Sequence, residues 1–260
     1  MRKRLILFLS LASALFAATG CVRDGRKGGP EQLTWGQASL SVENPIAFGD
    51  TLCYQIGFRL DTLAGEGELA RQLAAVLCDS VLGTPGRATV QEAMAACADS
   101  IEAEWKSELA ELYDAGSEFN EILQYYYTVE GAAVANGRED VVSYQTDLDC
   151  YLGGAHGSYV VMFYNFDKAS GKLLGIRDIV PPGREQEVLA AMERQLCEDW
   201  QARDLAELQE KTGITMLGDL YLTNNFLLKG DSIEFLFNQY EIAPYSSGLI
   251  DVTIPYQPNP

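Results

Sequence analysis

The sequence predicts an α+β protein in which antiparallel sheet packs against a helical hairpin and one further helix. Three observations carry that expectation. Leu52, Tyr54, Ile56, Phe58 and Leu60 alternate with Cys53, Gln55, Gly57 and Arg59, which is the period of a half-buried strand. Residues 67–113 then hold a helical period on both sides of the turn LGTPGRA. From Asn120 onward strand-like segments return, interrupted by one helix and joined by hairpin-length connections that favour antiparallel pairing.

In chain order, Leu69, Leu73, Val76 and Leu77 form the stripe of the first helix, which ends at Gly83 and Pro85. Thr89 and Glu92 stand at capping-box spacing, and Val90, Met94, Cys97, Ile101, Trp105, Leu109 and Leu112 continue a stripe through the second helix. On its outer face Glu102 and Lys106 are spaced for an i,i+4 ion pair. EILQYYYTVEGAAV is rich in aromatic and branched residues, and NGRED follows it as turn chemistry. Val142, Tyr144, Thr146, Leu148 and Cys150 alternate with polar residues, whereas SYVVMFYNF is apolar on both faces and reads as central in a sheet. DKASGK returns the chain through LLGIRDIV as a hairpin partner. Val188, Met192, Leu196 and Trp200 form the further helix, and Ile233, Phe235, Phe237, Ile250, Val252 and Ile254 mark the last strands.

Residues 1–20 read as a signal peptide, with Arg2, Lys3 and Arg4 ahead of an apolar run from Leu5 to Ala18 that is too short for a comfortable membrane span. Ala18, Thr19 and Gly20 before Cys21 resemble a bacterial lipobox, so Cys21 is the expected lipidation site and the first mature residue. VRDGRKGGPE completes a flexible tether over 21–31. The expected location is the bacterial cell envelope, lipid-anchored and extracytoplasmic. Loss of the signal removes three positive charges and moves the formal charge from −18 to −21. Such a chain repels nucleic acid and steers basic partners towards itself, and acidity also serves plain solubility.

No metal or cofactor is expected. The cysteines lack zinc or redox spacing, and DLDCYLGG lacks the third acidic position, central glycine and terminal glutamate of a calcium loop. Asp147 and Asp149 read instead as the solvated face of their strand. Cys78 and Cys97 flank the helix–helix turn and are a candidate disulfide, with buried free thiols as the equal alternative.

GGAHG followed by a strand, then NFDKASGKLLGIRDIV, a helix, and DSIEFLFNQYEIAPYSSGLIDVTIPY resemble the C-terminal domain shared by the anti-sigma factor RsiV and the deacetylase PdaC. The resemblance covers 120–260, most specifically GGAHG and YEIAPYSSG. The strand and helical hairpin of 32–119 are similar in layout to the segment that precedes it in such proteins. One relative uses the domain to bind lysozyme and release a sigma factor from its cytoplasmic end. Here only a few basic residues precede the signal, and no cytoplasmic segment is expected. The other relative carries a separate deacetylase domain whose metal is held by several histidines. A chain with one histidine cannot supply that set.

His156 therefore has three readings. It can lock a turn with Gly153, Gly154 and Gly157; it can lie on a recognition loop; or it can act as a general base on Ser158 or a tyrosine, oriented by Asp147 or Asp149. No GxSxG elbow supports the third. In YEIAPYSSG, Tyr240, Glu241 and Tyr245 seal a sheet edge or contact a ligand. The expected function is a lipid-anchored extracytoplasmic binding or sensing module for a cationic protein such as lysozyme or for cell-wall fragments. The alternatives are a cell-wall-directed hydrolase using the His156 loop and a structural envelope lipoprotein.

Overall fold

A computed structural model of the chain describes residues 33–45, 53–112 and 124–256. The first sheet has six strands in spatial order β1 (Trp35–Pro45), β2 (Cys53–Leu63), β3 (Tyr125–Val134), β4 (Val141–Tyr151), β5 (Ser158–Asp167) and β6 (Leu173–Leu174). The second has three antiparallel strands, β7 (Phe226–Lys229), β8 (Ser232–Phe237) and β9 (Ile250–Pro255). Helices α1 (Glu68–Val76) and α2 (Val90–Leu112) form the expected hairpin, and a π-helical turn, Leu77–Val81, ends its first arm. Thr89 caps α2 by accepting from Glu92 N at 3.2 Å, while the Glu92 carboxylate accepts from Ala88 N.

All neighbouring strands in the first sheet are antiparallel except one pair. β2 runs parallel to β3, from Tyr54 opposite Tyr125 to Leu60 opposite Gly131. The helical hairpin is the cause: a parallel neighbour needs a long crossover, and α1 with α2 supplies it. β2 and β3 pair across residues 119 and 120, so strands from both sides of that boundary share a sheet. The inner face, with Ile56, Phe58, Leu60, Tyr125, Val129 and Tyr144, buries Leu73, Leu77, Met94, Trp105 and Leu109 of the hairpin.

Cys78 and Cys97 both lie in this core as free, buried thiols, so the disulfide is not formed. They pack as small apolar side chains, and burial pushes both thiols up. The hairpin partner LLGIRDIV is also corrected. Only Leu173 and Leu174 pair with β5, after which Gly175 opens the short helix α3 (Ile176–Ile179), its amide accepted by the Asp178 carboxylate at 2.9 Å.

The second sheet buries Phe226, Ile233, Phe235, Ile250 and Val252 against α3, α4 (Glu185–Asp199) and α5 (Leu205–Thr212). The two sheets meet where the edge of β5 faces β7, and buried asparagines join them. Asn225 accepts from Phe163 N at 2.9 Å and donates to Val161 O at 2.8 Å. Asn238 accepts from Val161 N at 2.8 Å and donates to the same carbonyl. From β5, Asn165 returns the exchange, donating to Phe226 O at 2.7 Å and accepting from Leu228 N. Behind it, Asn136 donates to Ser143 and Ser143 to Asn165, both at 2.8 Å. Side-chain amides thus do here what a neighbouring strand does elsewhere.

Asn225→Ala strands the buried Phe163 N–H and lowers the unfolding free energy by about 2–3 kcal/mol, read by urea denaturation. Burial raises the Tyr127 phenol to about 12 and pushes that of Tyr144 up as well. Both are harder to ionise folded than unfolded. Their contribution is complete below about pH 10 and is lost as pH rises through the folded value, so unfolding free energy measured between about pH 9 and 12 declines over the upper part of that range.

A candidate recognition surface at the His156 loop

The loop between β4 and β5 is built by its glycines and pinned by tyrosines. Gly153 and Gly154 take φ values of 85° and 90°, which side-chain-bearing residues resist. Gly157 is small for another reason: a Cβ there would stand 2.9 Å from Cys150 O and 3.2 Å from the Tyr126 hydroxyl. Tyr151 donates to Gly154 O at 2.9 Å.

The loop after β8 supplies the other half. The Glu241 carboxylate accepts from Asn238 N and the Glu241 amide donates to Asn238 O, which closes a tight turn. Within it Tyr240 stands at φ 68°, a left-handed conformation that a bulky side chain adopts only under constraint. The residue is 56% exposed. Farther on, Pro244 leads into a 3₁₀ turn, Tyr245–Ser247, whose Ser247 hydroxyl donates to Thr212 O at the end of α5.

The two loops meet. The His156 ring lies on the Tyr245 ring with centroids 3.7 Å apart and planes 20° apart, and Tyr240 stacks beside it at 6.4 Å. His156 Nδ1 faces Gly157 O at 2.9 Å and Nε2 faces the Tyr240 hydroxyl at 3.3 Å. A carbonyl oxygen only accepts, so the contact with Gly157 is a hydrogen bond donated by Nδ1. Both ring nitrogens are engaged. Asp147 and Asp149 are held elsewhere, accepting from the hydroxyls of Tyr159 at 2.5 Å and Tyr126 at 3.2 Å. Asp147 and Asp149 therefore do not orient His156 as a general base, and the histidine instead ties its own loop to the Tyr240 turn. Among the described residues, no group of three or more His, Cys, Asp or Glu side chains is placed to hold a metal ion.

Of the residues singled out in the sequence, Gly153, Gly154, His156, Gly157, Tyr240, Glu241 and Tyr245 come together; Cys21 lies outside the described residues. Sequence reasoning missed the rest of the surface. Tyr126 and Tyr151 stack at 6.3 Å and extend the ring cluster across β3 and β4. Tyr159 is 39% exposed, and its phenol is raised to about 12 by burial and then by the Asp147 carboxylate. On the far side Leu217 N bonds to Ile242 O, and burial and the Glu241 carboxylate push up the Tyr221 phenol, so the exposed Met216, Leu217 and Tyr221 flank the Tyr240 turn. The parity of YYY in β3 was the available signal: Tyr125 and Tyr127 belong to one face and Tyr126 to the other.

Fold and surface together define an α+β protein with an exposed aromatic cluster rimmed by carboxylates. Residues 177–257 match the family described as "Protein of unknown function (DUF3298)", so the chain carries a DUF3298 domain there. That span contains Tyr240, Glu241 and Tyr245 but not His156. A solved member of the DUF3298 family from Bacteroides fragilis is similar over 86% of this chain and 90% of its own, with 22% identity and a TM-score of 0.76. A DUF3298 family protein from Pseudomonas aeruginosa is similar over 87% of this chain and 92% of its own, with 17% identity and a TM-score of 0.56. No functionally curated protein matches the chain.

The backbone at Tyr240 generates a stability test. Tyr240→Gly relaxes the left-handed residue whereas Tyr240→Ala retains it, so the glycine variant is the more stable of the two by about 1 kcal/mol in urea unfolding.

Proposed function

We propose that this protein is a lipid-anchored extracytoplasmic binding module that captures a basic protein ligand, such as lysozyme, on the surface centred on His156, Tyr240 and Tyr245. One observation carries the reading: a strained, exposed Tyr240 is held in a stack with His156 and Tyr245. Strained backbone gathers at functional sites, and exposed tyrosine rings supply large contact area at low entropic cost. The carboxylates of Asp147, Asp149 and Glu241 stand around the rings, a setting that favours lysine and arginine side chains over the ring faces. The formal charge of −18 supports steering of such a ligand. The leader over residues 1–20 ahead of Cys21, and the resemblance to a lysozyme-binding domain, support the location and the ligand class. Among the described residues no helix is long and apolar enough to cross a membrane, so in this reading the lipid on Cys21 is the tether.

Isothermal titration with hen lysozyme at about 50 and 150 mM salt tests the reading. The wild-type chain binds at both, and Tyr240→Ala weakens binding by about thirtyfold while the circular dichroism spectrum is unchanged. Absence of binding at the lower salt, or equal affinity of wild type and variant, overturns it.

A further inference from the structure

The first sheet treats its two edges differently. At one end β6 is only two residues long, and the rest of the β5 edge is occupied by asparagine side chains. At the other end β1 runs for eleven residues paired with β2 throughout, with no bulge in its register. Among the described residues no strand pairs with its outer side. The usual guards of an exposed edge are sparse here: between Trp35 and Asn44 there is no lysine and no proline, the one charge is Glu43, and the strand's single proline, Pro45, stands at its end.

The register shows which groups are offered. Thr34 O accepts from Ala64 N at 2.9 Å, so the backbone groups of even-numbered residues face β2 and those of Gln37, Ser39, Ser41 and Glu43 face outwards. On the inner face, Leu40 and Val42 are only partly buried against the core.

We propose that β1 is a self-association edge: two copies of the chain join through antiparallel β1 strands about a two-fold axis at Leu40, continuing the sheet from one molecule into the other. In that register Ser39 faces Ser41 and Gln37 faces Glu43 of the other copy as hydrogen-bonded pairs, so the single charge of each strand meets an amide rather than its own kind. Leu40 faces Leu40, and Ala38 faces Val42, in the non-hydrogen-bonded pairs, where side chains approach most closely. The two-fold thus sets the half-buried Leu40 against its own copy and the half-buried Val42 against Ala38 of the other copy. Other registers about the strand overlap fewer residues. The acidic net charge pushes the copies apart, so association strengthens as salt is added, opposite to the salt response of a basic ligand at the His156 surface.

Sedimentation equilibrium of the purified chain at about 100 µM tests this, a concentration suited to the small area of a strand-edge contact. The wild type forms a dimer that tightens between about 50 and 300 mM salt. Ser41→Pro removes an N–H that points only outwards, so it weakens dimerisation by about tenfold or more without lowering the thermal midpoint appreciably. Under diamide, Leu40→Cys cross-links to its own copy whereas Val42→Cys, which faces Ala38, does not. That pair of cysteine variants decides the question if Ser41→Pro fails to fold. A chain that stays monomeric at both salts, a dimer indifferent to Ser41→Pro, or equal cross-linking of the two cysteine variants overturns the proposal. So does capture of an added extended peptide by a monomer, which reassigns the edge to a different strand.

Discussion

The asparagine exchange between β5 and the second sheet is the constraint on which the rest of the molecule depends. Val161 and Phe163 are buried strand residues whose amides face an edge, and a buried amide without a partner costs about 1–3 kcal/mol. Asn225 and Asn238 supply those partners, and each reaches β5 from the second sheet just ahead of β7 or just after β8. Asn165 reciprocates, so neither edge is left open. The geometry of an amide fixes both distance and direction, and the two sheets acquire one relative position. The small apolar cluster of Val161, Phe163, Leu227 and Leu236 fills the seam.

The site is a consequence of that seam. Asn238, once bonded to Val161, places Gln239 at the Tyr159 amide and turns Tyr240 towards the loop that precedes β5. Two loops 84 residues apart in sequence are thereby brought into hydrogen-bond contact. Stability alone does not call for a tyrosine at φ 68° with its ring largely in water, since glycine satisfies the same turn at lower cost. The ring is set outwards by a turn whose own hydrogen bonds are complete.

The α+β class, the helical hairpin and the strands around Val142 and Ile250 were legible because their apolar periods are regular. β1 was not, because WGQASLSVE mixes small and polar residues on an edge that buries only one face. α5 was legible and overlooked: Asp204 accepts from Glu207 N at its start, and Gly213 at φ 77° closes it. The parallel pairing of β2 with β3 leaves no mark in either strand, since a period of two says which face is buried and not which neighbour lies alongside. Within the site, GGAHG and YEIAPYSSG stood out as motifs, but their contact rests on Asn225 and Asn238. In a sequence such asparagines are indistinguishable from ordinary turn residues.

Cys78, Cys97 and Cys150 lie unpaired beneath the first sheet and its helical hairpin, with burial holding each thiol above its ordinary range. Packed as small apolar side chains, these three sulfurs contribute to the core without an oxidant. The same three thiols are shielded from modifying reagents for as long as the core is closed. Their rate of labelling therefore times the opening of the helical layer, giving the protein an internal clock for motions that leave its outer surface unchanged.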